Sequence, residues 1–254
     1  MKNYFDVHGK SAVITGAASG IGKQFALCLA EQGANLALWD LQADKLAEVK
    51  AEIEAYGVKC VTSVCSVTDT EQIRAAVDET KSGLGRIDIL INNAGVGFNT
   101  PAVETTDEEW KRVLSVNVDG MFYVAREVGK VMLEQGYGKI VNTGSFHCMV
   151  TMNKVPRVAY SASKGAVLMM TKALASEWAQ NGITVNAIGP GYFKSALSDL
   201  VTDEEYDRNI RENCPMGRRG VPGELNGAML FLASDASSYV TGQLVLVDGG
   251  WTIV

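Results

Sequence analysis

Tyr160 and Lys164 lie four residues apart in the run Tyr-Ser-Ala-Ser-Lys-Gly that ends at Gly165. On a helix, that spacing stacks two side chains on one face. A free phenol is a poor acid or base near neutrality, with an ordinary pKa of about 10. A cation beside a phenol favours the phenolate, so a Tyr/Lys pair has the chemistry to move a proton near pH 7. The same two residue types are common on helix surfaces, and the pair alone decides nothing. The elements around it must.

Near the N-terminus, Ser11–Thr15 is a short apolar, β-branched run that reads as a strand. It enters Gly16-Ala-Ala-Ser-Gly20-Ile-Gly22, after which Ile21, Phe25, Leu29 and Ala30 recur at helical spacing. Strand, glycine-rich turn and helix together bring backbone N–H groups to a helix N-terminus, where a phosphate can bind. Glycines also simply make tight turns. The next strand, 35–39, ends at Asp40. An acidic residue about 20 positions beyond such a turn can bond the 2′-hydroxyl of NAD ribose and would repel a 2′-phosphate. Ser19 stands where a basic residue could have held that phosphate, so the expectation is NAD over NADP. Asp40 could also cap the helix that follows, and could serve both purposes.

Together these residues resemble the short-chain dehydrogenase/reductase family, over essentially the whole chain. Thr15–Gly22 is similar to its cofactor turn, Asn92-Asn-Ala-Gly95 to the motif after its fourth strand, Pro190-Gly191 to the turn beside the nicotinamide, and Val247-Asp-Gly-Gly250 to its C-terminal segment. Asn117, Ser145, Tyr160 and Lys164 fall where its catalytic tetrad falls. The resemblance implies hydride transfer between a secondary alcohol or ketone and a nicotinamide cofactor. Tyr160 would be the general acid or base. Lys164 would support the phenolate and bond the nicotinamide ribose, and Ser145 would hold the substrate oxygen. Asn117 would bend its helix and hold a water for proton relay; otherwise it is a solvent-facing Asn. The implied cofactor contacts are Gly16, Ser19, Gly20, Ile21 and Gly22 in the turn, Asp40 after the second strand, and Ser66 and Val67 after the third. They continue with Asn93, Ala94 and Gly95 after the fourth strand, Tyr160 and Lys164, and Pro190, Gly191, Phe193 and Ser195 after the sixth. Thr15 could bond the turn, and Asn92 could tie neighbouring strands. Two positions depart from the family pattern. Cys65-Ser66-Val67 replaces its usual Asp-Val near adenine, and Ser195 replaces a Thr beside the carboxamide.

The segments alternate along the chain. Strands are expected at 11–15, 35–39, 58–64, 87–91, 138–143, 183–188 and 243–247. Helices are expected at 20–32, 41–56, 69–83, 107–134, 160–180 and 222–234. This pattern predicts a doubly wound parallel α/β sheet of Rossmann type in a single domain, 1–254. The polar stretch 191–220 is expected as a small substrate lid. The chain has 254 residues and a net charge of −6, which offers no footprint for nucleic acid. No apolar run is long enough to span a bilayer, and the N-terminus lacks a signal-peptide core. Five scattered cysteines point to a reducing cytoplasm, and two histidines make a histidine-built metal site improbable on composition.

The substrate is read from the segment between Ser145 and Tyr160. Met149 and Met152 offer adaptable apolar surface. His147, Lys154 and Arg157 could hold a hydroxylated or anionic substrate, with Arg157 suited to a carboxylate. The implied substrate contacts are His147, Met152, Arg157 and Tyr192. The runs 187–193 and 248–251 look most like the gluconate 5-dehydrogenase branch of the family. Hydroxysteroid or bile-acid dehydrogenase is the main alternative. Asp40 argues against a 3-oxoacyl carrier reductase, and the retained Asn117, Ser145, Tyr160 and Lys164 argue against a non-catalytic nicotinamide-binding sensor. The resemblance also implies a homotetramer, with Val245, Val247, Trp251, Ile253 and Val254 as an apolar tail suited to an interface.

Overall fold

The computed structural model describes residues 3–152, 155–193 and 204–253. Its centre is a parallel sheet of β1 (Ser11–Thr15), β2 (Asn35–Asp40), β3 (Cys60–Val64), β4 (Ile89–Asn92), β5 (Gly138–Thr143), β6 (Ile183–Pro190) and β7 (Leu244–Val247). The strand order is β3-β2-β1-β4-β5-β6-β7. The chain steps outward from β1 to β3, then returns to the other side of β1. That reversal opens a crevice beyond the carboxyl ends of β1 and β4, where ligands bind in such sheets.

The helices are α1 (Gly20–Glu31), α2 (Ala43–Glu54), α3 (Thr70–Leu84), α4 (Asp107–Leu114), α5 (Met121–Gln135), α6 (Val158–Trp178), α7 (Glu204–Asn213) and α8 (Asn226–Ala233). Alternation along β1 sends Ala12 and Ile14 to one face and Val13 to the other, and every residue of the strand is buried. One face packs Phe25 and Leu29 of α1, Leu46 and Ile53 of α2, and Met229 and Leu232 of α8. The other packs Ile73 of α3, Val124 and Val128 of α5, and Leu174 and Trp178 of α6. Burial on both faces explains the near-continuous apolar strands.

The seven expected strands and the doubly wound sheet are present. Several boundaries move for local reasons. β4 starts at Ile89, because the buried Asp88 carboxylate is held by Arg86 and by the Ser11 N–H. β6 runs on to Pro190, paired with Val247 of β7. The expected helix 107–134 is divided: α4 and α5 are separated by a π-helical segment, Ser115–Gly120. α4 opens on a reciprocal cap between Thr106 and Glu109. In the stretch 191–220, residues 194–203 lie outside the described residues, and Glu204–Asn213 is α7.

The turn between β1 and α1 tolerates little. Gly16 and Gly20 have φ of 65° and 55°, in the left-handed region. A Cβ on Gly22 would lie 2.1 Å from the Gly16 carbonyl oxygen and 2.6 Å from Asn93 Nδ2. Gly22→Ala is therefore expected to destabilise the protein by about 3 kcal/mol, measured as a lowered denaturant midpoint. An unchanged midpoint would show that the turn can relax around a side chain.

Candidate active site

Three neighbouring elements, the end of β5, the π-helical segment and α6, carry the four residues of the expected tetrad. Ser145 follows β5 and is buried, and its Oγ accepts the His147 N–H at 3.2 Å, capping a short 3₁₀ turn at Phe146–Cys148. Tyr160 lies half-buried in the first turn of α6. Lys164 sits one turn further on, 3% exposed. Its Nζ donates to the Thr143 carbonyl at 2.7 Å and lies 5.5 Å from the centre of the Tyr160 ring. The helix thus places ammonium and phenol on one face, as their spacing predicts.

Asn117 is fully buried, at 0% exposure, so it is not a solvent-facing Asn. Its Oδ1 accepts the Val96 N–H at 2.8 Å, and its Nδ2 donates to the Val96 carbonyl at 2.8 Å and to Ser163 Oγ at 3.0 Å. Ser163 Oγ donates in turn to the Tyr160 carbonyl at 2.7 Å. One side chain therefore ties the loop after β4 to the first turn of α6. The π-helical segment is the local distortion that carries Asn117 into this position, a common use of such bulges.

The loop after β4 is closed by Thr15, whose Oγ1 accepts the N–H groups of Asn93 and Ala94 at 2.9 and 3.0 Å. Asn93 Nδ2 donates to the Thr15 carbonyl, and Asn93 Oδ1 accepts from Thr143 Oγ1. The Asn93 side chain is thus spent on joining β1, β4 and β5. Asn92 reaches the Met121 carbonyl at the start of α5 and not a neighbouring strand. Gly95 packs against Asn117, and Gly97 lies so close to the Tyr160 ring that a Cβ would sit 2.9 Å from it.

Asp40 stands at the end of β2 beside the glycine turn. One carboxylate oxygen accepts the Ala18 N–H at 3.1 Å and the other the Gln42 N–H at 3.1 Å. The cap position of α2 belongs to Gln42, so Asp40 braces the turn and does not cap the helix. Ser19 is extended at the start of α1 and makes no side-chain cap. Ile21 packs on the core. Ser66 turns its hydroxyl to Thr68 at 2.8 Å, and Val67 packs beneath Gly120. Gly191 donates to the Val247 carbonyl and leaves no room for a Cβ beside Asp248. Phe193 covers Gly220. Ser195, Lys154 and Val254 lie outside the described residues.

These residues fit a dinucleotide. A Cβ on Gly20 would enter open space in front of the α1 N-terminus, where a phosphate needs close backbone approach. The buried Lys164 ammonium has one acceptor in Thr143 and two further N–H bonds to give. Among the described residues, no group of His, Cys, Asp or Glu could hold a metal ion, and no helix is long and apolar enough to cross a membrane.

The flank of the site is aromatic. Phe146, Tyr192 and Trp251 form a cluster of tilted and edge-on rings, with centroid distances of 5.1 Å for Phe146–Tyr192, 5.7 Å for Phe146–Trp251 and 5.2 Å for Tyr192–Trp251, and the Tyr192 hydroxyl meets Met152 Sδ. Met149, by contrast, is 59% exposed. A cleft of about 370 Å³ adjoins this cluster, bounded by Tyr192, Ile210 of α7 and Trp251 among others. None of the four tetrad positions lines it. Arg157 lies 5.9 Å from the centre of the Tyr160 ring and is held by Asn99.

With this geometry in place, comparison with known proteins is decisive. A family model described as Enoyl-(Acyl carrier protein) reductase matches residues 16–252. Galactitol 2-dehydrogenase (L-tagatose-forming) of Cereibacter sphaeroides is 40% identical, covering 99% of this chain and 98% of its own. Gluconate 5-dehydrogenase of Gluconobacter oxydans is 39% identical, covering 98% and 97%. The chain belongs to the short-chain dehydrogenase/reductase family. It is an NAD(P)-dependent oxidoreductase. Among solved structures, a gluconate 5-dehydrogenase from Burkholderia cenocepacia in complex with NADP and tartrate superposes with a TM-score of 0.93, at 38% identity, covering 99% of this chain and 98% of that one.

Thr143, Ser163 and Gly97 were not legible as site residues beforehand. Ser163 carried a signal, since it sits three positions after Tyr160 on the same helix. Thr143 reaches Lys164 through its carbonyl and Gly97 admits the Tyr160 ring by lacking a side chain, and neither carried one.

His147 is 4% exposed, and burial together with the nearby Arg157 charge pushes its pKa from 6.5 down to about 4. Between those values the unfolded chain binds a proton that the folded one refuses. Stability is therefore complete above pH 6.5 and falls as pH drops toward 4. The contribution lost is about 3 kcal/mol. Denaturant titrations at pH 7 and pH 4 should show this loss shrinking in a His147→Phe variant. An identical pH dependence in both proteins would remove His147 as its source.

Proposed function

We propose that the protein interconverts a hydroxylated sugar acid and its keto form, of the gluconate/5-ketogluconate kind, with NAD as the preferred cofactor. The observation that carries this reading is the Arg157 guanidinium beside the Tyr160 ring. A substrate whose alcohol or ketone meets Tyr160 can extend a carboxylate to that cation, and Arg is suited to bidentate carboxylate binding. The names of the two curated relatives, a polyol and a sugar-acid dehydrogenase, support the same class.

When bound, a nicotinamide supplies or accepts the hydride; the residues of the chain handle the proton and the geometry. Tyr160 gives its phenolic proton to the ketone oxygen during reduction and recovers it during oxidation. Ser145 holds the same oxygen and steadies the charge that develops on it. Lys164, fixed to the Thr143 carbonyl, keeps a positive charge beside the phenol and directs its other N–H groups to a ribose. Asn117 fixes the Val96 backbone and, through Ser163, the Tyr160 turn. The glycine turn at 16–22 receives the pyrophosphate. Tyr160→Phe is expected to lower turnover by about a thousandfold while NADH binding, followed by fluorescence, is retained. Turnover at the parent rate would remove Tyr160 from the mechanism.

NAD preference rests on Asp40. Its carboxylate stands beside the turn, and the donors that reach it are the Ala18 and Gln42 N–H groups and the Gln42 amide, none of them charged. A 2′-phosphate there would face an unneutralised negative charge. The parent protein should favour NADH over NADPH, and Asp40→Ser should improve NADPH use at least about tenfold. NADPH preference in the parent would overturn this part of the reading.

The stretch 191–220, with α7 and the adjoining cleft, is read as the substrate lid. A homotetramer in the cytoplasm completes the reading. Phe122 and Leu133 of α5 and Met169 of α6 are exposed, and β7 is only half-buried along its length, which suits a second copy. Sedimentation at micromolar concentration should show a four-chain species; a single-chain species alone would overturn the assembly. A second substrate reading, a hydroxysteroid, is favoured by the Phe146–Tyr192–Trp251 wall. Rates with 5-ketogluconate and with a panel of ketosteroids separate the two. Steroid turnover without sugar-acid turnover sinks the favoured substrate.

A further inference from the structure

Four buried side-chain polar atoms among the described residues have no hydrogen-bond partner: Asn142 Oδ1, His147 Nε2, Thr184 Oγ1 and Asn226 Oδ1. Of their side chains, that of His147 alone is in ring contact with Tyr160, edge to face at 5.5 Å. A buried donor or acceptor left without a partner is costly and asks for an explanation. The rest of His147 is fully engaged. Its backbone N–H bonds Ser145 Oγ, its ring packs on Phe146 at 4.4 Å, and its Nδ1 shares a hydrogen bond with Ser161 Oγ at 3.1 Å. The imidazole is thus held among Phe146, Tyr160 and Ser161, while its backbone N–H ties it to Ser145, with one ring nitrogen fixed and one unsatisfied.

Burial and Arg157 keep this ring uncharged at neutral pH, so it is no anchor for a carboxylate. What Nε2 can exchange is one neutral hydrogen bond. Its direction is set by Ser161: if Nδ1 donates, Nε2 accepts, and if Nδ1 accepts, Nε2 donates. A hydroxyl both donates and accepts and satisfies either tautomer. A ketone or carboxylate oxygen satisfies only one.

We propose that His147 Nε2 receives a substrate hydroxyl on a carbon flanking the reacting one, making His147 a specificity-determining residue for polyhydroxy substrates. The assignment rests on the sugar-acid reading and deepens it: Arg157 takes the carboxylate, Tyr160 and Ser145 take the reacting oxygen, and His147 takes a neighbouring hydroxyl. A substrate without that hydroxyl leaves the ring nitrogen buried and unpaired, which is a strong basis for rejection.

The test compares 5-ketogluconate with its 4-deoxy and 6-deoxy forms, in the full-length protein with NADH and NADPH, for the parent, His147→Phe and His147→Gln. Phenylalanine keeps the flat ring against Phe146 and Tyr160 and removes both nitrogens; glutamine restores a donor and an acceptor. In the parent, one deoxy form is expected to be roughly tenfold to hundredfold poorer in kcat/KM. In His147→Phe that preference should collapse to within about twofold, with the loss mainly in KM, and His147→Gln should recover part of it. Should the Phe variant fail to fold, His147→Met carries the same comparison. A preference that persists in the apolar variant, or equal losses on all three compounds, overturns the role of His147 while leaving the sugar-acid reading standing. Absence of 5-ketogluconate turnover by the parent overturns the sugar-acid reading, and the hydroxyl assignment with it.

Discussion

The architecture of the site hangs on one joint, the Thr15 hydroxyl accepting two successive N–H groups from Asn93 and Ala94. Parallel strands β1 and β4 end side by side, and their outgoing backbones would otherwise leave unpaired donors at the crevice. Thr15 satisfies two of them and turns the chain after β4 toward the site. Asn93 completes the joint by reaching the Thr15 carbonyl and Thr143. Once it is closed, the space left above Gly16 admits no side chain at position 22. The first turn of α1 can therefore approach the strand ends closely, which is the geometry a pyrophosphate requires.

From that joint a second chain of hydrogen bonds reaches α6. Val96 is clamped at both its N–H and its carbonyl by Asn117, which bonds Ser163, which bonds the Tyr160 carbonyl. On the opposite side, Thr143 gives its carbonyl to Lys164. Tyr160 and Lys164 are thus located by partners on β5 and on the loop after β4, and helix propensity plays little part in placing them. Buried polar networks of this kind are rigid when every member is satisfied. His147 lies beside this network, bonded to Ser145 and Ser161, and its Nε2 has no partner. The substrate hydroxyl proposed above would give that nitrogen its missing partner.

The fold was legible because its determinants are local and repeated. Two-sided apolar strands, helical periodicity and the glycine turn follow from backbone geometry and from burial on both faces of a parallel sheet. The placement of Asp40 at a strand end and of Tyr160 and Lys164 on one helix face could be read from spacing, since a strand end and a helix face convert sequence distance into direction. What resisted reading was contact at long range. The division of 107–134 by a π-helical segment depends on Val96 and Ser163 drawing Asn117 inward, and neither is near it in sequence. The choice of Asp40 as a brace for the turn, instead of a helix cap, depends on the Ala18 N–H lying within reach.

By itself, the amino-acid sequence determined the α/β class, the strand count, the glycine turn and the residue types able to transfer a proton. Those properties are set by side-chain period and chemistry within a few residues. Only the tertiary structure decided which polar groups would be buried together and which would keep a free bond. Asn117, Lys164 and His147 are all polar residues along the chain, yet the first has both amide hydrogens and its oxygen bonded, the second is held by one carbonyl and the third is left with an unpaired nitrogen. That difference comes from packing across β4, β5 and α6, where desolvation makes each missing hydrogen bond costly and so separates scaffold from site.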